Sequence, residues 1–182
     1  QDLAMKALEK YKSAFSESWE IGFMNKLGME KQVDPNLASV DKTLLNDVLQ
    51  LLANEQVDFT IFWRRLSHAA PTTQAASAEW RSVADLFIDQ SSWGSWRDRY
   101  LSRLQLSSSA LAVRRMLQVN PKYILRNHLA EAAIQKSKIG DHSEVDVLFR
   151  LLQTPFDEQP QFENYANLPP DWAASIEISC SS

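Results

Sequence analysis

Glycine is scarce, with four in 182 residues. β-Hairpin turns and phosphate-cradling loops depend on glycine, because only glycine adopts left-handed backbone without strain. Neither glycine-rich phosphate pattern, GxGxxG or GxxxxGK[ST], occurs. Cysteine is scarcer still. Cys180 stands alone, which excludes an internal disulfide framework. No apolar run approaches the roughly 20 residues needed to cross a bilayer, and no secretory signal pattern is visible. Basic charge is not in excess: Lys and Arg number 19 against 23 Asp and Glu, a net charge of −4. That balance argues against a nucleic-acid binder. His68, His128 and His142 are scattered, without an acid or cysteine at metal-ligand spacing.

What is present is a globular chain, 45% hydrophobic and 23% charged, long enough to bury a sizeable core. Leu and Ala abound, β-branched runs are few, and six residues are tryptophan. These features predict an all-α fold, an irregular bundle of about six to eight helices with an extended, proline- and aromatic-rich C-terminal tail. The first residue is Gln1 rather than Met. The expectation is a processed chain or a fragment.

Periodicity places the helices. Residues 3–27 form the first, with Leu8, Tyr11, Phe15, Trp19 and Phe23 on one stripe and Gly28 to end it. Val33 to Val40 reads as a loop, through Asp34-Pro35-Asn36. A second helix starts at Asp41 or Thr43, with Leu44, Leu45, Val48, Leu49 and Leu52 inward. It bends near Glu55 and continues through Phe59, Phe62 and Leu66. Ala69 to Ala78 is a surface loop, followed by a short helix over Glu79–Asp89. Ser91 or Ser92 caps the next, whose Trp93, Trp96, Tyr100 and Leu104 share a face and read as core. Ser107 to Ser109 caps a helix reaching about Gln118.

The organising stretch is Asn120 to Asp141, NPKYILRNHLAEAAIQKSKIGD. Asn120 reads as its N-cap, Pro121 as its first residue, and Gly140 as its left-handed end. Leu125, Leu129, Ala132 and Ile139 fall on one face, Tyr123, Ala130 and Ile134 on the other. A helix apolar on two sides is expected at the centre. Asp141 and Glu144 resemble a capping box for a last helix over Ser143–Gln153.

From Thr154 the pattern changes. Prolines interrupt any regular helix, yet Phe156, Phe162, Tyr165 and Trp172 are too apolar for a free linker. The expectation is therefore a helical domain over residues 1–153 and a docking tail over 154–182 pinned by its rings. Residues from Ile176 onward read as a short strand or threaded end. Basic residues gather at Arg97, Arg99, Arg103, Arg114, Arg115, Lys122 and Arg126, against Asp98 alone. The acids of 141–182 face only Arg150. Pairing within the molecule explains that asymmetry more simply than an external anion.

Chemistry-bearing residues are few. Asp58-Phe59-Thr60 echoes a kinase metal motif, but it lies in a helical pattern with no catalytic loop before it. His128 reads as a packed, hydrogen-bonded side chain. Asp157 and Glu158 are adjacent and point apart in an extended chain. Cys180, flanked by Ser179, Ser181 and Ser182, reads as an accessible thiol whose reactivity needs a lowered pKa or a partner thiol.

Four motifs in order, NPKYILRNHLAEAAIQKSKIGD, PFDEQP, LPPDW and the terminal ISCSS, resemble the C-terminal end of the selenoprotein O family. FMNKLGM and FWRRLS fit the same family more weakly. The resemblance implies a protein adenylyltransferase with a kinase-like fold, moving AMP from ATP to Ser, Thr or Tyr hydroxyls with Mg2+ or Mn2+. It implies a redox role for Cys180, which stands where animal members carry selenocysteine. It implies the cytoplasm for a bacterial chain and the mitochondrion for a eukaryotic one. The family's nucleotide and metal motifs are absent from this sequence. The expectation is thus an accessory helical part that binds no cofactor and no metal itself, braces a kinase-like N-terminal part of the same polypeptide, and works on the full enzyme's protein substrates. No nucleic acid and no membrane is expected as partner, and some self-association of the exposed face is. The other readings are a stand-alone helical interaction module and a thiol enzyme built on Cys180, the latter lacking a positioned His and Asp.

Overall fold

The computed structural model describes residues 2–72, 74, 76–107 and 110–176. Cys180 and the strand or threaded end expected beyond Ile176 lie outside those residues, as do Ser108 and Ser109 of the expected cap. The fold is all-α: α1 Asp2–Lys26, α2 Pro35–Asn54, α3 Phe59–Ala69, α4 Ala78–Ala84, α5 Gln90–Ser107, α6 Ala110–Val119, α7 Asn127–Lys138 and α8 Ser143–Gln153. Two 3-10 helices, Pro160–Ala166 and Asp171–Ser175, follow. The chain forms two compact units that divide between Asn120 and Pro121.

In the first unit the helix ends follow local chemistry. Gly28, at φ +66°, closes α1. A Cβ there would lie 2.6 Å from Met116 Sδ, so the close approach of α6 requires glycine as well. Asp34 caps α2 by accepting from Asn36 N at 2.8 Å, with Pro35 in the first turn. The stretch expected as a loop over 33–40 is therefore mostly helix. The Asp-Pro-Asn signal marks a helix start, where proline's missing N–H is not needed. The bend expected near Glu55 is a full break. Gln56 adopts φ +53°, and Asp58 recaps the chain by accepting from Ile61 N at 2.9 Å. Asp58 is thus a cap, which accounts for the echo of a metal motif. The cap of α5 is Asp89 rather than a serine: it accepts from Ser91 N and Ser92 N, each at 3.0 Å.

The core of this unit is a cluster of rings. Phe62 is fully buried and meets Trp63, Phe87, Trp93 and Trp96 edge-on, at centroid distances of 5.1 to 6.3 Å. Trp93 stacks on Phe87 at 4.7 Å, and Trp96 on Tyr100 at 4.9 Å. Edge-on and offset pairs are the favoured geometries of the ring quadrupole. The stripe Trp93, Trp96, Tyr100 and Leu104 is buried, as its spacing predicts. Trp96 Nε1 donates to Leu44 O at 2.8 Å, and Tyr100 Oη to Leu27 O at 2.8 Å. Those bonds satisfy the only polar atoms that these two side chains carry into the core.

The expected central helix over 120–141 is not found. Asn120 is buried at the end of α6, and residues 121–126 are irregular. Lys122 N and Tyr123 N both donate to Pro155 O, at 2.8 and 3.1 Å, which holds them off a helical path. α7 starts only at Asn127, and Ala133 alone is buried on it. Leu125 and Ile139, expected inward, are 55% and 82% exposed. Two apolar stripes on a helix this amphipathic did not mean two buried faces. The predicted Gly140 end is found, at φ +83°, and α8 spans the expected residues. The capping box is not formed: Asp141 accepts from Ser143 N at 2.9 Å, and Glu144 is engaged elsewhere.

The second unit is held by the 154–176 segment packing on α7 and α8. Phe162 and Tyr165 pack against a small core of Tyr123, Ala133, Leu148 and Leu151. Phe156 and Trp172, expected to pin the segment as well, are 39% and 52% exposed. Lys122 Nζ bridges Glu158 and Glu163, each at 2.5 Å. This is the expected pairing of a basic residue with tail acids.

Tyr165 Oη donates to Glu144 Oε1 at 2.6 Å, and Lys136 Nζ donates to Glu144 Oε2 at 2.7 Å. The Lys136 and Tyr165 bonds hold the Glu144 carboxyl below its usual range. Burial, then the bond to Glu144, pushes the Tyr165 phenol up to about 12. The signs are opposite. The Glu144 contribution is complete above the ordinary carboxylate range and disappears as pH falls through its lowered value. The Tyr165 contribution is complete below about 10 and disappears as pH rises towards 12. The protection of α8 amides, taken relative to their intrinsic exchange at each pH, is therefore greatest between those limits. Tyr165→Phe costs about 1 kcal/mol and moves the Glu144 titration, read by carboxyl NMR, upward. An unmoved titration would remove the phenol from this account.

Candidate functional site

The candidate site is the uncovered face of α1. Every residue from Met5 to Trp19 is exposed, on all sides of the helix. That is four turns, a rod of about 22 Å at 1.5 Å per residue. Most helical stability in proteins comes from burying an apolar face, and isolated helices of this length are marginal in water. Yet this rod carries Leu8, Tyr11, Phe15 and Trp19 along one side, 37 to 63% exposed. Their spacing is that of a buried stripe. The pattern is therefore complete and its partner is missing among the described residues.

The stripe continues inward. Tyr11 stacks on Phe15 at 5.9 Å, and Trp19 lies 4.6 Å from Phe23. Phe23 then meets Phe59 and Trp63 edge-on, at 6.5 and 6.1 Å. Lys26 Nζ lies 5.9 Å from the centroids of both Phe59 and Trp63. Burial lowers the Lys26 pKa, and its ammonium donates to Asn120 Oδ1 at 3.1 Å. The inner end of α1 is thus fixed while its outer turns are bare.

Beside the stripe lies a cleft of about 310 Å³ between α1 and α2. Phe15, Trp19, Met24 and Leu45 give it apolar walls, and Ser16, Glu20 and Lys42 complete its lining. It has room for one large side chain from a partner. Recognition of this kind needs an apolar anchor in a pocket with a polar rim. A second, more open groove of about 630 Å³ runs between α2 and α5, lined by Leu37, Val40 and Leu44.

Four of the five arginines of α5 and α6 are paired with acids of the same unit. Arg97 pairs with Asp98 at 2.9 Å, Arg99 with Asp47 at 2.7 Å and Arg115 with Glu30 at 3.1 Å. Arg103 is buried against Asp41. His128, read from the sequence as a packed side chain, is half-buried and edge-on to Trp172 at 6.1 Å. Burial, then the nearby Arg126 charge, lowers its pKa. Among the described residues no three His, Cys, Asp or Glu side chains gather to hold a metal ion. No described helix is long and apolar enough to cross a membrane. The one residue singled out for chemistry, Cys180, lies outside the described residues.

Comparison with known proteins bears on what is missing. Residues 1–154 match the family described as protein adenylyltransferase SelO. The whole chain is 51% identical to the protein nucleotidyltransferase YdiU of Albidiferax ferrireducens, and covers 36% of that protein. It is 43% identical over its whole length to the protein of the same name from Variovorax paradoxus, covering 35% of it. For that of Cupriavidus metallidurans the identity is 41% over the whole chain, covering 32% of the relative. The chain spans about a third of the length of the curated relatives it matches.

Proposed function

The chain belongs to the protein adenylyltransferase SelO family, and from that premise we propose that it is the C-terminal helical part of an enzyme that transfers AMP from ATP to Ser, Thr or Tyr hydroxyls of target proteins. In that reaction the hydroxyl gives its proton to a base while its oxygen forms a bond to the α-phosphorus, the bond from that phosphorus to the oxygen bridging to the β-phosphate breaks, and pyrophosphate leaves with the electron pair. Such a transfer is carried by positioning and by cations that neutralise the phosphates. The described residues offer no donor cluster for the divalent ion. On this reading ATP and its Mg2+ or Mn2+ are held by a kinase-like part of the same polypeptide outside these 182 residues. The role of the present chain is to brace that part.

The observation that carries the proposal is the bare aromatic rod of α1, in a chain that is alike over its full length to a third of a longer enzyme. Cys180 is proposed as a redox group of the full enzyme, pairing with a cysteine of the other part; oxidation of the two thiols to a disulfide by a peroxide or disulfide oxidant releases two protons and two electrons. The test is AMP transfer from labelled ATP to protein. The 182-residue chain is expected to transfer none, and the longer polypeptide to transfer it in a metal-dependent way. Cys180→Ser is expected to remove the oxidant sensitivity of the longer polypeptide and leave its reduced activity unchanged. Label transfer by the short chain would overturn the accessory reading. Activity of the longer polypeptide that is unchanged when residues 1–182 are deleted would favour a separate interaction module instead.

A further inference from the structure

α1 contains a glycine that nothing among the described residues explains. Gly22 lies inside a 25-residue helix, where glycine is unfavourable because its backbone loses the most freedom on folding. An interior glycine is accounted for when another group approaches too closely for a side chain. Gly28 is accounted for in that way by Met116. At Gly22 an added Cβ would meet no atom within 4 Å.

Gly22 is also one of a row. Ala14, Ser18 and Gly22 are four residues apart and all exposed. Tyr11, Phe15, Trp19 and Phe23 form the adjacent row, at the same spacing. Rows four residues apart are the ridges by which packed helices interlock. A low row beside a row of rings is a groove beside a ridge. It fits another helix, whose large side chains fill the groove while the rings lie along its flank. Small residues in the groove permit the short end of the usual 8–10 Å range of axis separations.

We infer that this groove seats a helix from the part of the polypeptide outside these 182 residues, with its closest backbone approach at Gly22 and the rings of Tyr11, Phe15 and Trp19 along its flank. The occupant is a segment of the same polypeptide because the matched relatives carry the greater part of their length beyond the matched region. An enzyme three times as long has the material to cover four bare turns, and those turns have no cover among the described residues. The inference rests on the accessory reading only for the identity of that occupant.

The test compares Gly22→Ala and Gly22→Leu in two contexts, the 182-residue chain and the longer polypeptide. In the short chain both substitutions leave the thermal midpoint unchanged or raise it, since the new side chain meets open space and favours the helix. In the longer polypeptide the amides of residues 5–19 exchange slowly in the wild type. There Gly22→Leu lowers the midpoint and speeds that exchange by about tenfold or more, with Gly22→Ala between. Three results overturn the inference: Gly22→Leu harmless in both contexts, α1 amides equally fast in both wild-type proteins, or protection already present in the short chain and growing with its concentration. The last would make a second copy the occupant. AMP transfer by the longer wild-type protein is scored separately, so that failure of the chemistry and failure of the seat are told apart.

Discussion

Asp41→Ala lowers the stability of the first unit by about 3–5 kcal/mol, the usual cost of removing one partner from a buried ion pair. Asp41 accepts from Arg103 Nε at 2.5 Å and from Nη2 at 2.8 Å. The two side chains are 3% and 4% exposed. A guanidinium does not give up its proton in a protein. Without Asp41 the charge stays buried, and Nη1 already has no hydrogen-bond partner among the described residues. Urea unfolding followed by tryptophan fluorescence reads the loss as a lower midpoint with an unchanged slope.

The companion variant decides what the pair is for. Replacing both residues, as Asp41→Leu with Arg103→Met, removes the charge together with its partner. Buried pairs exchanged for apolar residues of similar volume are often neutral or stabilising. The double variant is therefore expected well above Asp41→Ala and close to wild type. A double variant as weak as the single one would show that the pair does more than neutralise itself. The ion pair also ties α5 to the start of α2, beside the second apolar groove. Its loss loosens that end first, and hydrogen exchange over Asp41–Val48 reports it.

The helices and the ring core of the first unit were legible in the sequence because burial and periodicity agree there. Trp93, Trp96, Tyr100 and Leu104 repeat at helical spacing and pack inward. At α1 the same spacing marks a face with no cover among the described residues. Leu8, Tyr11, Phe15 and Trp19 have an equally good period and are exposed. A stripe states that a face is meant for burial and does not state against what. Conversely, the row of small residues at Ala14, Ser18 and Gly22 has little hydrophobic signal and is invisible to hydrophobic periodicity. It becomes visible only when Gly22 is seen to have open space around it.

The break at Glu55–Asp58 was misread for a related reason. Leucines and phenylalanines continue on phase through it, so pattern alone extends the helix. What decides is Gln56 in the left-handed region, with Asp58 recapping the chain. The candidate chemistry was less legible still. Cys180 was found by its position at the end of a motif, and its surroundings lie beyond the described residues.

Asn120 shows both the failure and its physical reason. Its sequence context, before Pro121, is that of an N-cap. In the structure it is fully buried and joins three helices. Its Oδ1 accepts from Lys26 Nζ at 3.1 Å, while Nδ2 donates to Lys26 O at 3.1 Å and to Ser67 Oγ at 2.9 Å. Its main-chain oxygen accepts from Arg64 Nη1 at 3.1 Å. An amide that satisfies both of its polar ends against α1 and α3 is not free to cap a following helix. Asn120→Ala keeps the Arg64 bond, which is to main chain, and strips the rest. Each buried group left unpaired costs about 1–3 kcal/mol, and Lys26 is half-buried and partly reachable by water, so the total expected is about 2–4 kcal/mol. Asn120→Asp retains the acceptor for the Lys26 ammonium but places a carboxylate against Lys26 O, so it falls between alanine and wild type. The order Asn, Asp, Ala in unfolding midpoint tests the joint. An alanine variant within about 0.5 kcal/mol of wild type would mean that packing alone holds the end of α6 on α1 and α3. Because α1 reaches from this joint to its bare aromatic turns, a loosened Asn120 also weakens whatever α1 grips. In the longer polypeptide, Asn120→Ala is expected to speed hydrogen exchange across residues 5–19 without touching a residue of that face.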